Sequence, residues 1–380
     1  MKILNINSLL NPASGGGTAE RTIQMSRFLC FENEIDVSIL TLDLDITSKV
    51  CNSLEGVKII TIPCLNRRFL VPSIFNNDIA KSIKDADIIH LMGHWNLINL
   101  LSFFWIKKYK KPYAVCPAGA LPIFGRSKLF KRIFNFFGGR YYIKVANANI
   151  AITKDEINHF KSYGVDEKKI TLLPNGVDPT LFKYTNNNIR QKLMIGENPF
   201  ILFVGRLNLI KGPDLLLEAF SRVEGDFENY SLIFAGKDDG LQENLQAIVK
   251  KYELEKKVRF IGFVENQLKS ELYHAADLLV IPSRFEAMSI VVLESAISGT
   301  PVMMTDTCGL EEFAGINGGY LVRPEIFSIE RGLRVLLSNR GNLFERGEQM
   351  KSYVESFFSW SLIIRKYVKL YDEINVSSRK

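Results

Sequence analysis

Four things are missing from this chain. No stretch reaches the ~18–20 consecutive apolar residues of a membrane-spanning helix; the strongest run, Leu97 to Ile106, is about half that length and is interrupted by Asn99 and Ser102. Cysteine is scarce and scattered, at Cys30, Cys51, Cys64, Cys116 and Cys308. No two lie within four residues, which argues against a zinc site or a disulfide framework and for small buried apolar residues in a reducing compartment. The N-terminus, Met1-Lys2-Ile3-Leu4-Asn5, turns polar too soon for a secretory signal. These absences point to a cytoplasmic protein. Acidic residues, finally, are absent from Ile88 to Lys154, a window that holds Lys107, Lys108, Lys110, Lys111, Arg126, Lys128, Lys131, Arg132, Arg140 and Lys144. Such a window attracts anions: lipid headgroups, phosphate or nucleic acid.

What is present is ordinary globular material. The chain has 380 residues, 47% hydrophobic and 23% charged, enough for two domains. The net charge of +7 is uneven: residues 1–180 hold 23 Lys/Arg against 15 Asp/Glu, the remainder 25 against 26. Apolar runs at Met1–Asn7, Val37–Leu42, Val57–Ile62, Ile88–Leu91, Tyr113–Cys116 and Asn149–Thr153 read as strands. A loop, Asn11 to Gly17, leads into a helix marked at 3.6-residue spacing by Ala19, Ile23, Ser26, Leu29 and Cys30. The second half repeats the design. Its strands are Phe200–Val204, Ser231–Ala235, Val258–Ile261, Leu278–Pro282 and Pro301–Thr305. Its helices include Pro213–Val223, Leu241–Tyr252, Gln267–Ala276 and Ser289–Ser298. Alternation of strand and helix predicts parallel sheets with ligands at the carboxyl ends of the strands. A polar, turn-prone linker is expected at Lys183–Pro199, and an amphipathic last helix at Ser361–Ile374.

Four segments carry chemistry. Gly15-Gly16-Gly17 sits between a strand and a helix, where glycines let backbone N–H groups approach an anion; a tight turn is the plainer alternative, and the run is neither a dinucleotide fingerprint nor a Walker A loop. Val204-Gly205-Arg206-Leu207-Asn208-Leu209-Ile210-Lys211-Gly212 follows an apolar strand, and its Arg206 and Lys211 suit a diphosphate clamp. Ser283-Arg284-Phe285-Glu286-Ala287-Met288-Ser289 closes another strand. Glu294 follows in a helix so apolar that its carboxylate needs a partner, and a ribose diol is a good one. Leu173-Pro174-Asn175-Gly176-Val177-Asp178 is turn chemistry near the domain junction. The only Asp-x-Asp elements, Asp43 to Asp45 and Asp85 to Asp87, lie away from these segments, so no metal site is expected.

In this order and spacing, the segments resemble family four of the retaining glycosyltransferases, of the GT-B fold. The match runs essentially the whole chain and is firmest from Asn149 to Thr305. It rests on Gly-Gly-Gly-x-Ala-Glu-Arg near the start, Pro-Asn-Gly-Val-Asp at the junction, Val-Gly-Arg-Leu…Lys-Gly, and Ser-Arg-Phe-Glu…Leu-Glu-Ser-Ala-Ile-Ser-Gly-Thr-Pro-Val. The last has the family's two glutamates seven residues apart. The resemblance implies an α/β protein of two facing Rossmann-like domains with the active site in the cleft between them. Residues 1–180 with 358–380 would receive the acceptor, and 181–357 would bind a UDP- or GDP-linked sugar. Arg206 and Lys211 would hold the diphosphate, and Glu294 the ribose. Glu286 would sit by the transferring sugar, with the backbone N–H groups of Met288 and Ser289 near the sugar or phosphate and Ile290 also at the donor. Phe263 and Val264 would lie against the base, and Gly16 and Gly17 would approach the phosphate from the other domain. Transfer would proceed with retention and without a metal or other cofactor. One departure matters: the family's sugar-facing histidine in Pro-His-Gly is replaced here by Ala118. His90 and His94 lie on a neighbouring strand, and His94 is the better substitute, His90 reading as a hydrogen-bonded structural residue.

The acid-free window carries aromatics as well: Phe103, Phe104, Trp105, Phe134, Phe136, Phe137, Tyr141 and Tyr142. That mixture suits a single-stranded nucleic acid, but no nucleic-acid motif is present and an anionic membrane surface fits it better. The expectation is a peripheral enzyme at the inner face of the membrane that extends a lipid-linked glycan in surface-polysaccharide synthesis, without nucleic acid. A catalytically impaired sugar-nucleotide-binding subunit is the alternative that Ala118 raises, against which stand Arg206, Lys211, Glu286 and Glu294.

Overall fold

The computed structural model describes residues 1–73, 77–123, 127–185, 189–316 and 318–378. Arg126 of the basic window and Asn186 to Asn188 of the expected linker lie outside them. The chain divides into two compact units, Met1–Asn175 with Trp360–Lys380, and Gly176–Ser359.

The first unit is built on seven parallel strands: β1 (Lys2–Ile6), β2 (Asp36–Leu42), β3 (Lys58–Ile62), β4 (Ile88–Met92), β5 (Tyr113–Cys116), β6 (Ala148–Ala151) and β7 (Ile170–Leu172). Their order across the sheet is β3-β2-β1-β4-β5-β6-β7. The central strands β4 and β5 are buried along their whole length, as strands covered on both faces must be, so they read as continuous apolar runs rather than alternating ones. The second unit repeats the plan with β8 (Phe200–Val204), β9 (Ser231–Ala235), β10 (Val258–Gly262), β11 (Leu278–Ile281), β12 (Val302–Thr305) and β13 (Tyr320–Val322), in the order β10-β9-β8-β11-β12-β13. In both sheets the chain reverses direction beside its first strand, a doubly wound arrangement whose switch points lie between β1 and β4 and between β8 and β11. The short strands β7 and β13 and the helices Ile326–Leu337 and Arg340–Phe357 carry no strong sequence signal. A small antiparallel hairpin, Cys64–Asn66 with Val71–Pro72, follows β3.

Two expectations about local structure need correction. The segment Asn11 to Gly17 is not a simple loop: a helical turn starts at Pro12, with the Asn11 side chain accepting from the Ala13 N–H at 2.9 Å. The turn breaks at Gly16 (φ 60°, ψ −146°) before the helix resumes to Cys30. That positive φ calls for glycine, while a Cβ there would meet open space. The first crossing, between Asn175 and Gly176, falls earlier than the linker and the 180/181 boundary expected for it, and the return, between Ser359 and Trp360, falls two residues later than the expected 357/358. Val177 donates its N–H to Phe358 O at 2.8 Å, and Phe182 packs on Tyr273, which tie residues from 176 onward to the second unit.

Where the chain leaves and re-enters the first unit, one buried side chain gathers the strands together. Arg21 donates to Leu173 O at 3.0 Å, to Pro174 O at 3.1 Å, and to Asn175 Oδ1 and Tyr367 Oη at 2.5 Å each. Its guanidinium lies 5.7 Å from the Trp360 ring centroid. The helix Pro12–Cys30, the end of β7 and the terminal helix Trp360–Ser378 meet there.

The two histidines of β4 and its following turn are also internal. His94 is buried. Its Nδ1 pairs with Tyr142 Oη at 2.7 Å and its Nε2 with Asn135 Oδ1 at 3.0 Å. With both ring nitrogens engaged inside the unit, His94 cannot substitute for the missing sugar-facing histidine and is a structural residue. His90 Nδ1 pairs with Tyr371 Oη at 2.5 Å. Burial pushes both imidazoles down to about 3.

The aromatics of the acid-free window divide in two. Phe134 and Tyr142 are core residues, which removes them from any surface role. Phe136 and Phe137, on a π-helical turn Asn135–Gly139, are 84% and 71% exposed. Leu129, Phe130, Ile133 and Tyr141 are exposed beside them, and Phe69 of the hairpin stacks on Phe130 at 6.2 Å. Arg67, Arg68, Lys128 and Arg132, close to these residues in sequence, are exposed as well.

Arg21→Met removes the donors to Leu173 O, Pro174 O and Asn175 Oδ1 and should cost about 3 kcal/mol or more; a denaturant midpoint near that of the parent chain would show that the clasp is dispensable. The histidines make a second prediction. An unfolded histidine titrates near ~6.5, so between pH ~6.5 and ~3 the unfolded chain takes up protons that the folded chain refuses. Stability is full above pH ~6.5 and should fall as the pH drops through that window. His94→Gln should flatten the acid limb of the stability profile, and an unchanged limb would rule this source out.

Candidate active site

The switch point of the second sheet brings two loops side by side: residues 205–212 after β8 and 282–289 after β11. Gly212 makes the approach possible. Its φ is 69°, and a Cβ there would lie 2.1 Å from Pro282 O. Arg284 fastens the two loops. Its backbone N–H donates to Ile210 O at 2.8 Å, and its guanidinium donates to Leu209 O at 2.6 Å. The same guanidinium forks onto Asp214 at 2.9 and 2.6 Å. Lys211 is held by its own N–H, which donates to Asn208 Oδ1 at 3.0 Å.

So docked, Lys211 Nζ pairs with Glu286 Oε1, and Ser283 Oγ donates to the same oxygen at 3.1 Å. Glu286 is 9% exposed and Lys211 26%; a carboxylate so covered needs a cation or donors to stay charged. Burial, reinforced by the charge of Glu286, pushes the neighbouring Cys308 thiol up to about 12. Cys308 therefore remains an uncharged thiol. The second expected cation, Arg206, is exposed and pairs with Asp239 at 3.3 Å, and Asn208 donates to the same Asp239 oxygen at 2.8 Å. Both expected phosphate-binding cations thus carry a carboxylate counter-ion in the chain itself.

The start of the helix Ile290–Ile297 differs from expectation in one detail. The Ser289 N–H is not available to a ligand, because it donates to Cys308 O at 3.2 Å. Its hydroxyl Oγ is instead buried without a partner, at the positive end of a helix. Met288 is buried and Ile290 half-buried beside it. Five residues on, Glu294 accepts from Lys269 Nζ at 2.7 Å and from Tyr273 Oη at 2.8 Å, so the partner its burial demands is supplied within the chain. At the end of β10, Gly262 turns the backbone at φ 73°. Phe263 beyond it is half exposed and Val264 buried.

The second unit therefore gathers Arg206, Lys211, Glu286, Ser289 and Glu294 on the loops and helices that follow its strands. Gly16, Gly17 and His94 belong to the first unit, and both glycines are exposed at the end of β1. The sequence reading missed Asp239, Lys269, Tyr273 and Arg284. Arg284 and Asp239 were open to notice, since each lies just past a strand end. Lys269 and Tyr273 lie four residues apart on a helix, and nothing in that spacing names Glu294 as their target. Among the described residues no group of three or more His, Cys, Asp or Glu side chains could hold a metal ion.

Comparison with known proteins bears on this geometry. The model for glycosyl transferases group 1 matches residues 185–357 and that for glycosyltransferase family 4 matches residues 15–181. An uncharacterized glycosyltransferase of Methanocaldococcus jannaschii, MJ1607, is 30% identical over 217 residues, 55% of each chain. A D-inositol 3-phosphate glycosyltransferase of Geodermatophilus obscurus is 28% identical over 247 residues, 62% of this chain and 54% of that one. The chain thus spans about half the length of these curated relatives. Among solved structures, Anabaena HepE in complex with UDP and glucose superimposes with a TM-score of 0.81 at 18% identity, covering 98% of this chain and all of that one. WaaG, a glycosyltransferase involved in lipopolysaccharide biosynthesis, gives 0.74 at 20% identity over 98% and 99%. With two doubly wound parallel sheets and two family models that between them run from residue 15 to residue 357, the chain belongs to the group 1 glycosyltransferases of family 4 and has their GT-B fold.

Proposed function

We propose that the chain transfers a hexosyl or N-acetylhexosaminyl group, with retention and without a metal, from a nucleotide sugar to an acceptor hydroxyl. The observation that carries this is the cationic loop of the second unit, where Lys211 is docked against Glu286 at the switch point next to the unpartnered Ser289 hydroxyl at a helix N-terminus. A diphosphate meets there one point charge, the exposed guanidinium of Arg206 and the positive end of a helix. HepE was solved with UDP-glucose, which supports a uridine diphosphate donor as the first to test, with GDP-linked sugars second.

In the reaction the acceptor oxygen forms a bond to the anomeric carbon on the face the leaving group departs from. The carbon–oxygen bond to the diphosphate breaks, and the acceptor's proton passes to the departing phosphate oxygen. Negative charge grows on that phosphate as the bond breaks, so Arg206 and Lys211 stabilise the transition state more than the bound donor. Glu286 orients Lys211 and stands beside the sugar. Glu294 accepts from the ribose hydroxyls, and Phe263 and Val264 lie against the base. These are orienting and electrostatic roles.

The acceptor is a lipid-linked saccharide, reached by peripheral binding at the inner face of an anionic membrane. Supporting this are the exposed Phe130, Ile133, Phe136 and Phe137, with exposed basic residues near them in sequence, a composition that suits a headgroup boundary. The hairpin residues Arg67, Arg68 and Phe69 extend this set. Among the described residues no helix is long and apolar enough to cross a membrane. The resemblance in fold to WaaG, of lipopolysaccharide biosynthesis, supports a place in surface-polysaccharide synthesis.

In a transfer assay Arg206→Ala and Lys211→Ala should each lower kcat on the order of 100-fold or more. Glu286→Gln should also lower kcat, Glu294→Ala should mainly raise donor KM, and EDTA should leave the rate intact. Unchanged kcat in the two cation variants, or full loss on chelation restored by Mn²⁺, would count against the mechanism. Vesicle co-sedimentation tests the acceptor side. Binding should require anionic lipid and weaken with salt, and it should fall when Lys128, Lys131 and Arg132 become Glu or Phe136 and Phe137 become Ser. Protein that stays in the supernatant with anionic vesicles at low salt would make a soluble acceptor the better reading.

A further inference from the structure

Glu294 sits in a helix whose neighbours Val292, Leu293, Ala296 and Ile297 are all buried. Its side chain is 5% exposed and that of Lys269 16%. Two donors to it come from one helix, Asn266–Ala275. Positions 269 and 273 are four residues apart, so they share a face. Lys269 reaches Oε1 at 2.7 Å and Tyr273 reaches Oε2 at 2.8 Å. One donor on each oxygen fixes the plane of the carboxylate as well as its position. Phe182 backs both donors, with its ring 6.1 Å from that of Tyr273 and 6.0 Å from the Lys269 ammonium.

A covered ion pair of this kind is a poor source of stability. Apolar residues of similar volume commonly do as well or better, because the attraction only offsets the loss of hydration. In a helix this apolar the pair is better explained by what the carboxylate does. Glu294 also lies about 7.5 Å of helical rise beyond Ser289, comparable to the distance between a nucleotide's phosphate and its ribose hydroxyls.

We propose that Lys269 and Tyr273 are positioning residues that hold Glu294 charged and oriented to accept from the ribose diol of the donor, and so set the preference for ribonucleotide over 2′-deoxyribonucleotide. This rests on the assignment of Glu294 to the ribose. A cis-diol offers two hydroxyls at a fixed separation, and a carboxylate meets both only when its plane is set. A carboxylate free to tilt, or protonated for want of a cation, loses one or both. Each lost hydrogen bond to a charged acceptor weakens binding on the order of 10- to 100-fold.

The test is calorimetric binding of UDP and 2′-deoxy-UDP, and of GDP and 2′-deoxy-GDP, to the full chain and its variants. The parent chain should favour the ribonucleotide of the matching base by at least about 10-fold. In Lys269→Met that ratio should fall to near one, with the ribo form weakened more than the deoxy form, which has only its 3′-hydroxyl contact to lose. Lys269→Arg should restore most of it, and Tyr273→Phe should lower it in part. Tyr273→Phe keeps charge and volume, so it decides the matter even if Lys269→Met fails to fold. If Glu294→Gln abolishes the ratio while Lys269→Met and Tyr273→Phe keep it, the positioning role is overturned and the ribose assignment stands. If Glu294→Gln keeps the ratio, both fall. Equal weakening of ribo and deoxy forms in Lys269→Met would show a merely structural residue and overturn the proposal.

Discussion

The first unit depends on a guanidinium with no carboxylate among its hydrogen-bond acceptors. Arg21 is buried, and its donors go to Leu173 O, Pro174 O, Asn175 Oδ1 and Tyr367 Oη. A planar fork with five fixed donors suits that task, and a lysine could not perform it. These acceptors belong to the last residues of the chain's first passage through the unit and to the helix by which it returns. Parallel strands need long crossover connections, so their ends are far apart in sequence, and something must gather them. Here one side chain, projected from the helix after β1, does so from 152 residues away.

The second unit solves a related problem with charge. Its strand-end loops present several cations, and a partly covered cation needs a counter-ion. Lys211 has Glu286, Arg206 has Asp239, and Arg284 has Asp214. The three pairs differ in exposure, and this sorts their work. The Arg206 pair is open to water and weak. The Lys211 pair is mostly covered, and its geometry is fixed by Ser283 and by the docking of Gly212 on Pro282. The Arg284 pair staples the loop that carries the lysine to the loop that carries the glutamate.

Surface and site share a single architectural logic. The hairpin that follows β3 and the helix Lys128–Phe134 that follows β5 leave the same sheet from the carboxyl ends of its strands, the edge at which α/β proteins meet ligands. Their tips touch through Phe69 and Phe130. The exposed aromatic residues therefore lie at the carboxyl-end edge of the first unit's sheet.

Strand and helix periodicity placed most elements within a residue or two, because continuous apolar runs between amphipathic segments have few other solutions in water. The strand-end motifs were legible too, since Arg206, Lys211, Glu286 and Glu294 lie where parallel sheets put their loops. Three things were not legible. The π-helical turn at Asn135–Gly139 shifts the helical register and bends at Gly138 (φ 127°). Spacing alone therefore could not tell the buried Phe134 and Tyr142 from the exposed Phe136 and Phe137. The hydrogen-bond needs of His94 are met by Tyr142 and Asn135, 48 and 41 residues away, so a residue that read as reactive is internal. Glu294 announced that it needed a partner, but Lys269 and Tyr273 become its partners only when two helices pack. Local sequence determined which groups are charged, apolar or free to turn. Which of them is paired and which is left for a ligand was decided by tertiary structure, because pairing depends on distance in space and the burial that gives it weight is a property of the whole unit.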